Sequence, residues 1–490
     1  MAGPVFTSDS NPKIDGDAKV TFYVLVCALI SSTGGLMFGY DIGISGGVTA
    51  MDDFLEKFFP AVYARKLRAH ENNYCKFDSQ RLQAFTSSLY LAAMVATFLA
   101  AWVCKKYGRR PTMRAASLFF LGGVALTAAA VNLPMLIIGR ILLGLGIGFA
   151  NQAVPLFLSE STPSKWRGSL NILFQLLITV GILIANLVNY RTSSLHPWGW
   201  RLSLGLAGVP AALLCFGSLL ITEKGKATLE RIRGTMNVEP EFLQLVEACE
   251  AASEVKHLYC RLMRRDSHPR LLISIILQVF QQLTGINAIM FYAPVLFQTM
   301  GFKNDASLLS AVITGTVNAI STFMGIVIVD RVGRKPLLLQ AAVQMFICQV
   351  AIGIILLKDL HLTNSLTHTV AIVVVILVCA YVAGFAWSWG PLGWLIPSEI
   401  FPIETRSAGF SFAVCSNMLF TFLIAQAFLS TLCHLKAGIF FFAMWILLMG
   451  TFVVFFLPET KGVPVDQMTE RVRKKHWLWA RFMAEETNRV

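Results

Sequence analysis

The chain consists of long apolar stretches separated by short polar connections. Stretches long enough to cross a bilayer, which takes about 20 residues, begin near Lys19, Gln83, Met113, Pro134, Ser169, Arg201, Arg270, Ala306, Pro336, His368, Ala408 and Lys436. A lipid-exposed segment can satisfy its backbone polar groups internally as an α-helix. The pattern therefore predicts an all-α membrane protein with about twelve transmembrane helices, and both termini on one side.

The seventh stretch is interrupted by amide side chains. Gln281 and Gln282 lie about 16 Å from its basic edge, near the middle of a hydrocarbon core of about 30 Å. Gln278 shares their helical face, whereas Asn287 joins that face only if the helix unwinds, which Gly285 allows. Unwound backbone at this depth is tolerated where it is buried or lines a cavity. The amides either bind a ligand there or bond to neighbouring helices.

Composition and charge agree with a membrane protein and exclude a soluble domain. Of the 490 residues, 55% are hydrophobic and 14% charged, and the mean hydropathy is +0.63. The net charge of +13 is concentrated in alternate loops, for example Lys105–Arg114, Arg331–Lys335 and Arg471–Lys475. This positive-inside bias predicts that these loops and both termini are cytosolic, and it argues against a nucleic-acid partner.

Two opposite charges lie inside the predicted spans. Counted from the ends of their helices, Asp41 reaches the outer third of the membrane and Arg140 lies about 9 Å below the outer surface. Charges inside a membrane usually pair and mark ion or proton pathways. The alternative is that Arg140 extends to the surface and Asp41 caps a broken helix.

The two halves of the chain repeat a pattern of charges. Tyr107–Pro111 matches Val332–Pro336, and Ser159–Arg167 matches Ser398–Arg406. The repeat predicts two six-helix bundles tied by cytosolic ion pairs, whereas a positive-inside bias alone predicts no repeated spacing. The predicted gating residues are Arg109, Arg110, Glu160, Arg167, Arg331, Arg334, Glu399 and Arg406.

These patterns divide the chain into five segments. They are a cytosolic N-terminal tail at 1–18, a first bundle at 19–221 with an outer lid loop at 51–81, a cytosolic helical linker at 222–269, a second bundle at 270–457, and a cytosolic C-terminal tail at 458–490. The lid loop is expected to form a small helical cap over the entrance.

Several motifs together carry a family resemblance. They are Asp41–Val48, Gly139–Gly144, Gln281–Asn287, Trp387–Trp394, Pro397–Pro402 and Pro458–Gly462. In combination they resemble the sugar porters of the major facilitator superfamily, and nearly the whole chain closely resembles the plant sugar transport proteins, which are proton/hexose symporters.

The resemblance implies a central hexose site and a proton site. The sugar residues would be Gln175, Gln281, Gln282, Asn287, Asn318, Trp394, Asn417 and Thr421. Amides suit a polyol because each both donates and accepts hydrogen bonds, and the indole of Trp394 offers an apolar surface to the ring of the sugar. Phe38 and Ile42 would connect the sugar to the Asp41 and Arg140 proton site.

The resemblance also adds Glu459 to the cytosolic gating residues and implies a disulfide between Cys75 and Cys433. The chain departs from the family at Leu220–Lys226, where an acidic element is missing and Glu223 is the candidate replacement.

The sequence thus predicts a plasma-membrane proton-coupled importer of monosaccharides, not an enzyme, with no cofactor or metal beyond the proton gradient that drives it. Its expected partners are the sugar, protons and membrane lipid. A facilitative uniporter and a transport-impaired sensor or partner subunit are the alternatives. The preferred monosaccharide and the oligomeric state stay open.

Overall fold

The computed structural model of the chain describes residues 21–67, 78–162, 166–221, 267–287, 289–290, 304–363, 368–435 and 443–459, together with 230, 259, 262 and 263. Every regular element within these residues is an α-helix. Nine continuous helical segments within the described residues, two of which combine two consecutive helices, are long and apolar enough to cross a membrane. Shorter helices stand at the other three predicted positions, so a helix lies wherever the hydrophobic pattern predicts a span.

The helices follow the chain in two sets. The first set is α1 Phe22–Val48, α2 Asp52–Phe58, α3 Pro60–Leu67, α4 Gln80–Tyr107, α5 Arg109–Ala128, α6 Leu133–Ser161, α7 Arg167–Thr192, α8 Gly199–Leu206 and α9 Gly208–Leu220. The second set is α10 His268–Leu283, α11 Asn304–Val332, α12 Arg334–Thr363, α13 His368–Ala386, α14 Trp389–Ile400, α15 Ile403–Leu435 and α16 Ala443–Phe456. α8 with α9 forms the sixth span, and α13 with α14 forms the tenth.

Large apolar side chains cover the outside of the structure. Phe22 is 82% exposed, Phe216 71% and Met444 70%. A soluble protein rarely exposes an extensive apolar surface, whereas a membrane protein turns it to the lipid tails. Polar side chains such as Gln281 and Asn417 are buried instead. The distribution is the one expected for a bundle surrounded by lipid.

The two halves meet along two pairs of long helices. α4 packs against α15, and α7 packs against α11. The short α14 lies beside α6 and α7 of the first half. We call the membrane side on which α4 and α6 end and α7 begins the inner side, which the charge pattern predicts to be cytosolic, and the opposite side the outer side.

Glycines allow α1 to approach α7 closely. A Cβ at Gly39 would overlap with the backbone carbonyl oxygen of Ile178, and one at Gly35 would overlap with that of Phe174. Small residues on one face let the backbones of two helices come close, which is a common way of packing helices in membranes. α1 is thus held against α7 over much of its length.

Matched ion pairs occur on the inner side, but each lies within one half and does not tie the two halves together as the repeat predicts. Arg109 Nη2 lies 2.6 Å from Glu160 Oε1, and Arg334 Nη2 lies 3.1 Å from Glu399 Oε1. Each arginine follows a glycine with positive φ, 91° at Gly108 and 105° at Gly333. Glycine adopts this conformation without strain. The repeated motif therefore forms the same turn and the same ion pair twice.

The next basic residue of each motif binds the carbonyl end of a helix. Arg110 donates to the carbonyl oxygens of Ser218 at 2.9 Å and Leu219 at 2.8 Å, at the end of α9. Lys335 donates to the carbonyl oxygen of Val454 at 2.7 Å. Cations are stabilised at helix C-termini, where carbonyl groups lack helical partners. The candidate Glu223 lies outside the described residues, but α9 itself already supplies acceptors for Arg110.

Other inner contacts join the two halves without repeating. Asp330 Oδ2 accepts from Ser169 N at 3.0 Å and Ser169 Oγ at 2.6 Å, and so caps the first turn of α7. Arg406 Nη1 lies 4.0 Å from Glu160 Oε1. Arg167 makes no ion pair within the described part of the chain. The inner interface is therefore asymmetric although the motifs repeat.

The two remaining gating candidates belong to the second half. Glu459 accepts from the backbone N–H groups of Arg334 and Lys335, both at 3.0 Å, which places a carboxylate at the N-terminus of α12. An anion is stabilised at that position by the helix dipole. Arg331 lies exposed in the last turn of α11.

Because α1 approaches α7 closely, two Gly→Ala substitutions should differ in their effect on the free energy of unfolding. Gly39→Ala should lower the free energy of unfolding by about 1–3 kcal/mol, because its Cβ overpacks against α7. The control Gly122→Ala meets only Leu142 Cδ1 at 3.9 Å and should be neutral or stabilising by up to about 1 kcal/mol. Thermal unfolding of both purified proteins in detergent measures the difference. Equal melting temperatures would contradict the packing described.

The two matched ion pairs should differ in strength because they differ in exposure. The side chains of Arg334 and Glu399 are 3% and 6% exposed, whereas those of Arg109 and Glu160 are 29% and 28% exposed. Glu399→Gln removes one of two carboxylates beside the buried Arg334, since Asp330 Oδ1 also lies 3.3 Å from Arg334 Nη1, and should cost about 1.5–3 kcal/mol. Glu160→Gln should cost about 0–1 kcal/mol. A melting temperature lowered equally by both variants would refute this ranking.

Candidate functional site

A charge pair is buried between three helices in the outer part of the first half. Arg140 Nη1 of α6 lies 2.6 Å from Asp41 Oδ1 of α1, and their side chains are 0% and 1% exposed. The guanidinium also donates to Ser45 Oγ at 2.8 Å and to the carbonyl oxygen of Phe85 at 3.1 Å. Its carbon lies 4.8 Å from the centre of the Phe85 ring. The structure thus brings together the two charges that the sequence places at similar depth.

One oxygen of this carboxylate is not used. Asp41 Oδ2 is buried and has no hydrogen-bond partner among the described residues. Ser45 donates to the backbone carbonyl of Asp41 at 2.8 Å, which fixes one helical turn around the carboxylate. An oxygen without a donor is free to accept a proton while the other stays bound to Arg140. The pair therefore keeps one carboxylate oxygen to which a proton can add.

The seventh span is broken where the sequence predicts unwinding. α10 ends at Leu283, and Gly285 follows with φ +83°. The carbonyl oxygen of Thr284 accepts from Gln349 Nε2 at 2.9 Å and from Tyr381 Oη at 2.8 Å, which compensates for the lost helical bond. The break is thus held by two side chains that the sequence did not indicate.

Beyond the break, Asn287 returns toward the amides of α10. Its Nδ2 donates to Gln282 Oε1 and also lies 3.5 Å from Thr421 Oγ1 of α15. Thr421 in turn donates to the carbonyl of Asn417 at 2.8 Å. Four of the predicted sugar residues, from two separate spans, therefore lie together. We call the group of Gln282, Asn287, Asn417 and Thr421, with the polar side chains around it, the amide cluster.

Two glutamines of α10 hold neighbouring helices together. Gln281 Nε2 donates to the carbonyl oxygen of Trp389 at 2.9 Å, and Gln278 Nε2 donates to that of Gly393. Asn417 Nδ2 donates to both, at 2.6 Å to Gln278 Oε1 and 2.8 Å to Gln281 Oε1. Gln278 was not part of the predicted sugar set, although its spacing from Gln281 puts it on the same face. These amides join α10, α14 and α15.

Other polar groups near this cluster keep hydrogen-bonding capacity. Gln175 of α7, 8% exposed, has no hydrogen-bond partner in the described structure. Asn318 Oδ1 is buried without a partner among the described residues, and its Nδ2 faces Met290 Sδ at 3.7 Å. Gln282 Nε2 donates to no described residue. Trp394, 4% exposed, packs edge-on against Phe174 with ring centres 5.8 Å apart. The cluster can therefore offer donors, acceptors and an apolar surface to one ligand.

α1 connects the charge pair with the helix that carries Gln175. Phe38 and Ile42, 5% and 4% exposed, flank Asp41 on α1. α1 packs along α7, which carries Gln175. A movement of α1 therefore changes the surroundings of both groups.

Two short helices, α2 and α3, cover the outer side, as the sequence predicts for the lid loop. The Phe54 ring of α2 lies 5.3 Å from that of Phe85, and Phe58 lies 5.3 Å from Trp200. Since Phe85 also contacts Arg140, the lid packs directly over the charge pair. Nothing in the sequence singles out Phe85 or Ser45 for this role, because aromatic rings and hydroxyl groups are common in membrane helices.

The described cysteines differ in their pairing. Cys433 is disulfide-bonded, but Cys75 lies outside the described residues, so a bond between these two stays a prediction. Six other described cysteines, Cys27 among them, form no disulfide. Among the described residues no group of three or more His, Cys, Asp or Glu side chains could hold a metal ion.

Comparison with known proteins supports these observations. The family model described as "Sugar (and other) transporter" matches residues 26–471. Sugar transport protein 8 of Arabidopsis thaliana is 63% identical over 495 residues, which cover 98% of this chain and 97% of the relative. Sugar transport protein MST4 of Oryza sativa subsp. japonica is 60% identical over 497 residues, which cover 99% and 96%.

Solved transporter structures share the fold. The proton:xylose symporter XylE bound to 6-bromo-6-deoxy-D-glucose matches with a TM-score of 0.77 and 25% identity, over 91% of this chain and 98% of that one. XylE from E. coli in a partially occluded inward open conformation matches with a TM-score of 0.68 and 25% identity, over 90% and 99%. The predicted fold, with about twelve helices in two six-helix bundles, is thereby confirmed. The chain belongs to the sugar transporter family of the major facilitator superfamily, within the group of plant sugar transport proteins.

Proposed function

We propose that this transporter is a proton-coupled symporter that imports monosaccharides, hexoses of the glucose type, across the plasma membrane. The observation that carries the proposal is the buried Asp41–Arg140 pair, whose second carboxylate oxygen has no partner among the described residues. A uniporter has no need of such a pair, whereas a symporter needs a group that can exchange a proton inside the membrane. XylE, which shares the fold, is a proton:xylose symporter and so supports this function.

The sugar is proposed to bind in the amide cluster. Gln175, Gln282, Asn287 and Asn318 retain donors or acceptors that a polyol can use. Gln278, Gln281 and Asn417 orient the cluster through their bonds with one another and with α14. Asn417 and Thr421 line its α15 side. Uncharged amides match a neutral sugar because each hydroxyl group, like each amide, both donates and accepts.

Coupling follows from the position of α1. A proton on Asp41 removes its charge and weakens its attraction to Arg140, so that α1 can shift. Phe38 and Ile42 then close over the sugar. Proton and sugar bind cooperatively, because each favours the same arrangement of α1 and linkage between two sites is reciprocal. On the more alkaline side the proton leaves, the ion pair re-forms and the sugar is released.

The proton gradient supplies enough free energy for accumulation. A difference of one pH unit across the membrane supplies about 1.4 kcal/mol per proton. A membrane potential of 100 mV supplies about 2.3 kcal/mol per charge. Together, at about 3.7 kcal/mol, they sustain a sugar gradient of several hundredfold. One proton per sugar therefore suffices for concentrative import.

Alternating access is proposed to move the bundles at 19–221 and 270–457 against each other. The cross-bundle contacts Asp330–Ser169 and Arg406–Glu160 close the inner side. They are broken when the transporter opens to the cytosol. The ion pairs inside each bundle, Arg109–Glu160 and Arg334–Glu399, keep the ends of the helices in place while this happens.

The proton site predicts the behaviour of Asp41→Asn. The amide mimics the protonated acid permanently, so the variant should lose concentrative uptake while still exchanging sugar passively. Uptake of radiolabelled glucose by proteoliposomes with an imposed pH gradient, with and without a protonophore, measures both properties. Protonophore-sensitive accumulation by Asp41→Asn would disprove the assignment. A wild-type protein that never accumulates sugar would instead identify a uniporter.

The amide cluster predicts the effect of Gln282→Ala on sugar binding. Loss of one hydrogen-bonding side chain leaves sugar hydroxyls unpaired and should weaken binding by about 1–3 kcal/mol. Gln344→Ala is the matched control, because Gln344 is also a glutamine in a spanning helix but donates to the carbonyl of Ala380 at 2.8 Å within the second bundle. Sugar affinity of the purified proteins should fall only for Gln282→Ala. Unchanged affinity there would remove Gln282 from the site.

A further inference from the structure

Amide side chains also lie on the inner side of the central cluster. Asn171 is four residues from Gln175 along α7, and Ser398 is four residues from Trp394 along α14, so both lie about 6 Å closer to the inner side. Asn171 Nδ2 donates to Ser398 Oγ at 3.3 Å and to the carbonyl oxygen of Pro155 at 3.2 Å. The contact between Asn171 and Ser398 joins the two bundles.

A second contact of the same kind lies one turn away on α6. Gln152, three residues before Pro155, donates from Nε2 to the carbonyl oxygen of Ser407 at 2.8 Å. Ser407 belongs to α15, so this bond also joins the bundles. We call Gln152, Asn171, Ser398 and Ser407 the inner polar layer. It contains no ionisable side chain.

The inner polar layer has unused hydrogen-bonding capacity. Gln152 Oε1 and Asn171 Oδ1 have no hydrogen-bond partner among the described residues, although the two side chains are 0% and 2% exposed. Burying such a group without a partner costs about 1–3 kcal/mol. Apolar side chains would close the same interface at lower cost. The layer is therefore poorly optimised for the closed arrangement in which it is found.

We propose that Gln152, Asn171 and Ser398 form a second monosaccharide subsite, which the sugar occupies as it leaves the central site toward the cytosol. The proposal rests on the proposed function. When the bundles separate on the inner side, the bonds Asn171–Ser398 and Gln152–Ser407 break. Two amides and a hydroxyl then face the opening with both donors and acceptors free, and a neutral polyol matches them.

The same groups thus serve two states in turn. In the closed state they bond across the bundles, and in the open state they bond to the sugar. Sugar in the subsite prevents the inner side from closing until it departs. The subsite should consequently determine the half-saturating sugar concentration for transport that starts from the cytosolic face. It should have almost no influence on the half-saturating concentration at the outer face.

The test compares the two faces in sealed vesicles of defined orientation, with radiolabelled glucose as the probe. Gln152→Met and Asn171→Ser should each raise the half-saturating concentration at the cytosolic face about five- to tenfold, with less than a twofold change at the outer face. Ser398→Ala removes only a hydroxyl and is expected to give a two- to threefold rise. It keeps the test decisive if an amide variant fails to fold.

Asn189→Ala is the matched control for loss of a buried amide in the same helix. Asn189 is 1% exposed, donates to the carbonyl oxygen of Gly43 at 3.1 Å and also has an Oδ1 without a partner among the described residues, but it lies outside the layer. It should leave the cytosolic half-saturating concentration unchanged.

The outcomes separate the subsite from the function on which it rests. A cytosolic-face effect confined to the layer variants supports the subsite. Equal effects at both faces, no effect, or the same effect in Asn189→Ala overturn it while wild-type transport stands. A wild-type protein without saturable glucose transport overturns the proposed function and the subsite with it.

Discussion

The Asp41–Arg140 pair is the constraint around which the outer part of the first half is arranged. Removing two charges from water costs several kcal/mol per ion, and only well-placed partners recover it. Here the partners come from three helices, since Ser45 lies on α1, Phe85 on α4 and Arg140 on α6. The helices must therefore meet at one depth. On its other side α1 is held by its glycines, which let it pack tightly against α7.

In the second half, neutral groups offset a similar cost of burying polar groups. Breaking α10 at Gly285 leaves backbone groups without helical partners, which is costly in a membrane unless other groups bind them. Gln349 and Tyr381 bind the carbonyl of Thr284, and Gln278 and Gln281 bind carbonyls of α14. The break consequently becomes a place where side-chain amides meet. The amides and the break in α10 therefore stabilise each other.

The sequence predicts the features that the bilayer or a repeat imposes. Span positions follow from hydrophobic length, the depth of Asp41 and Arg140 follows from counting residues, and the matched ion pairs follow from the repeated motifs. The sequence does not predict which donor bonds to which acceptor. Helical spacing shows which side chains share a face, but not which helix that face contacts. Asp330 lies just before the repeated motif of the second half, yet it caps α7 of the first half. Likewise Gln278 and Gln281 hold α14, while the Nε2 donor of Gln282 beside them meets no described acceptor.

The division of groups between the halves gives the strongest argument for coupled movement. Both members of the charge pair belong to the first half, whereas most of the amide cluster belongs to the second. A proton on Asp41 can therefore affect a sugar among those amides only through α7, against which α1 lies, and across the interface where Phe174 of α7 packs on Trp394. Such coupling requires an interface with more than one arrangement. Its inner contacts suit this requirement, since the cross-bundle bonds at Asn171 and Gln152 leave buried oxygens without partners among the described residues.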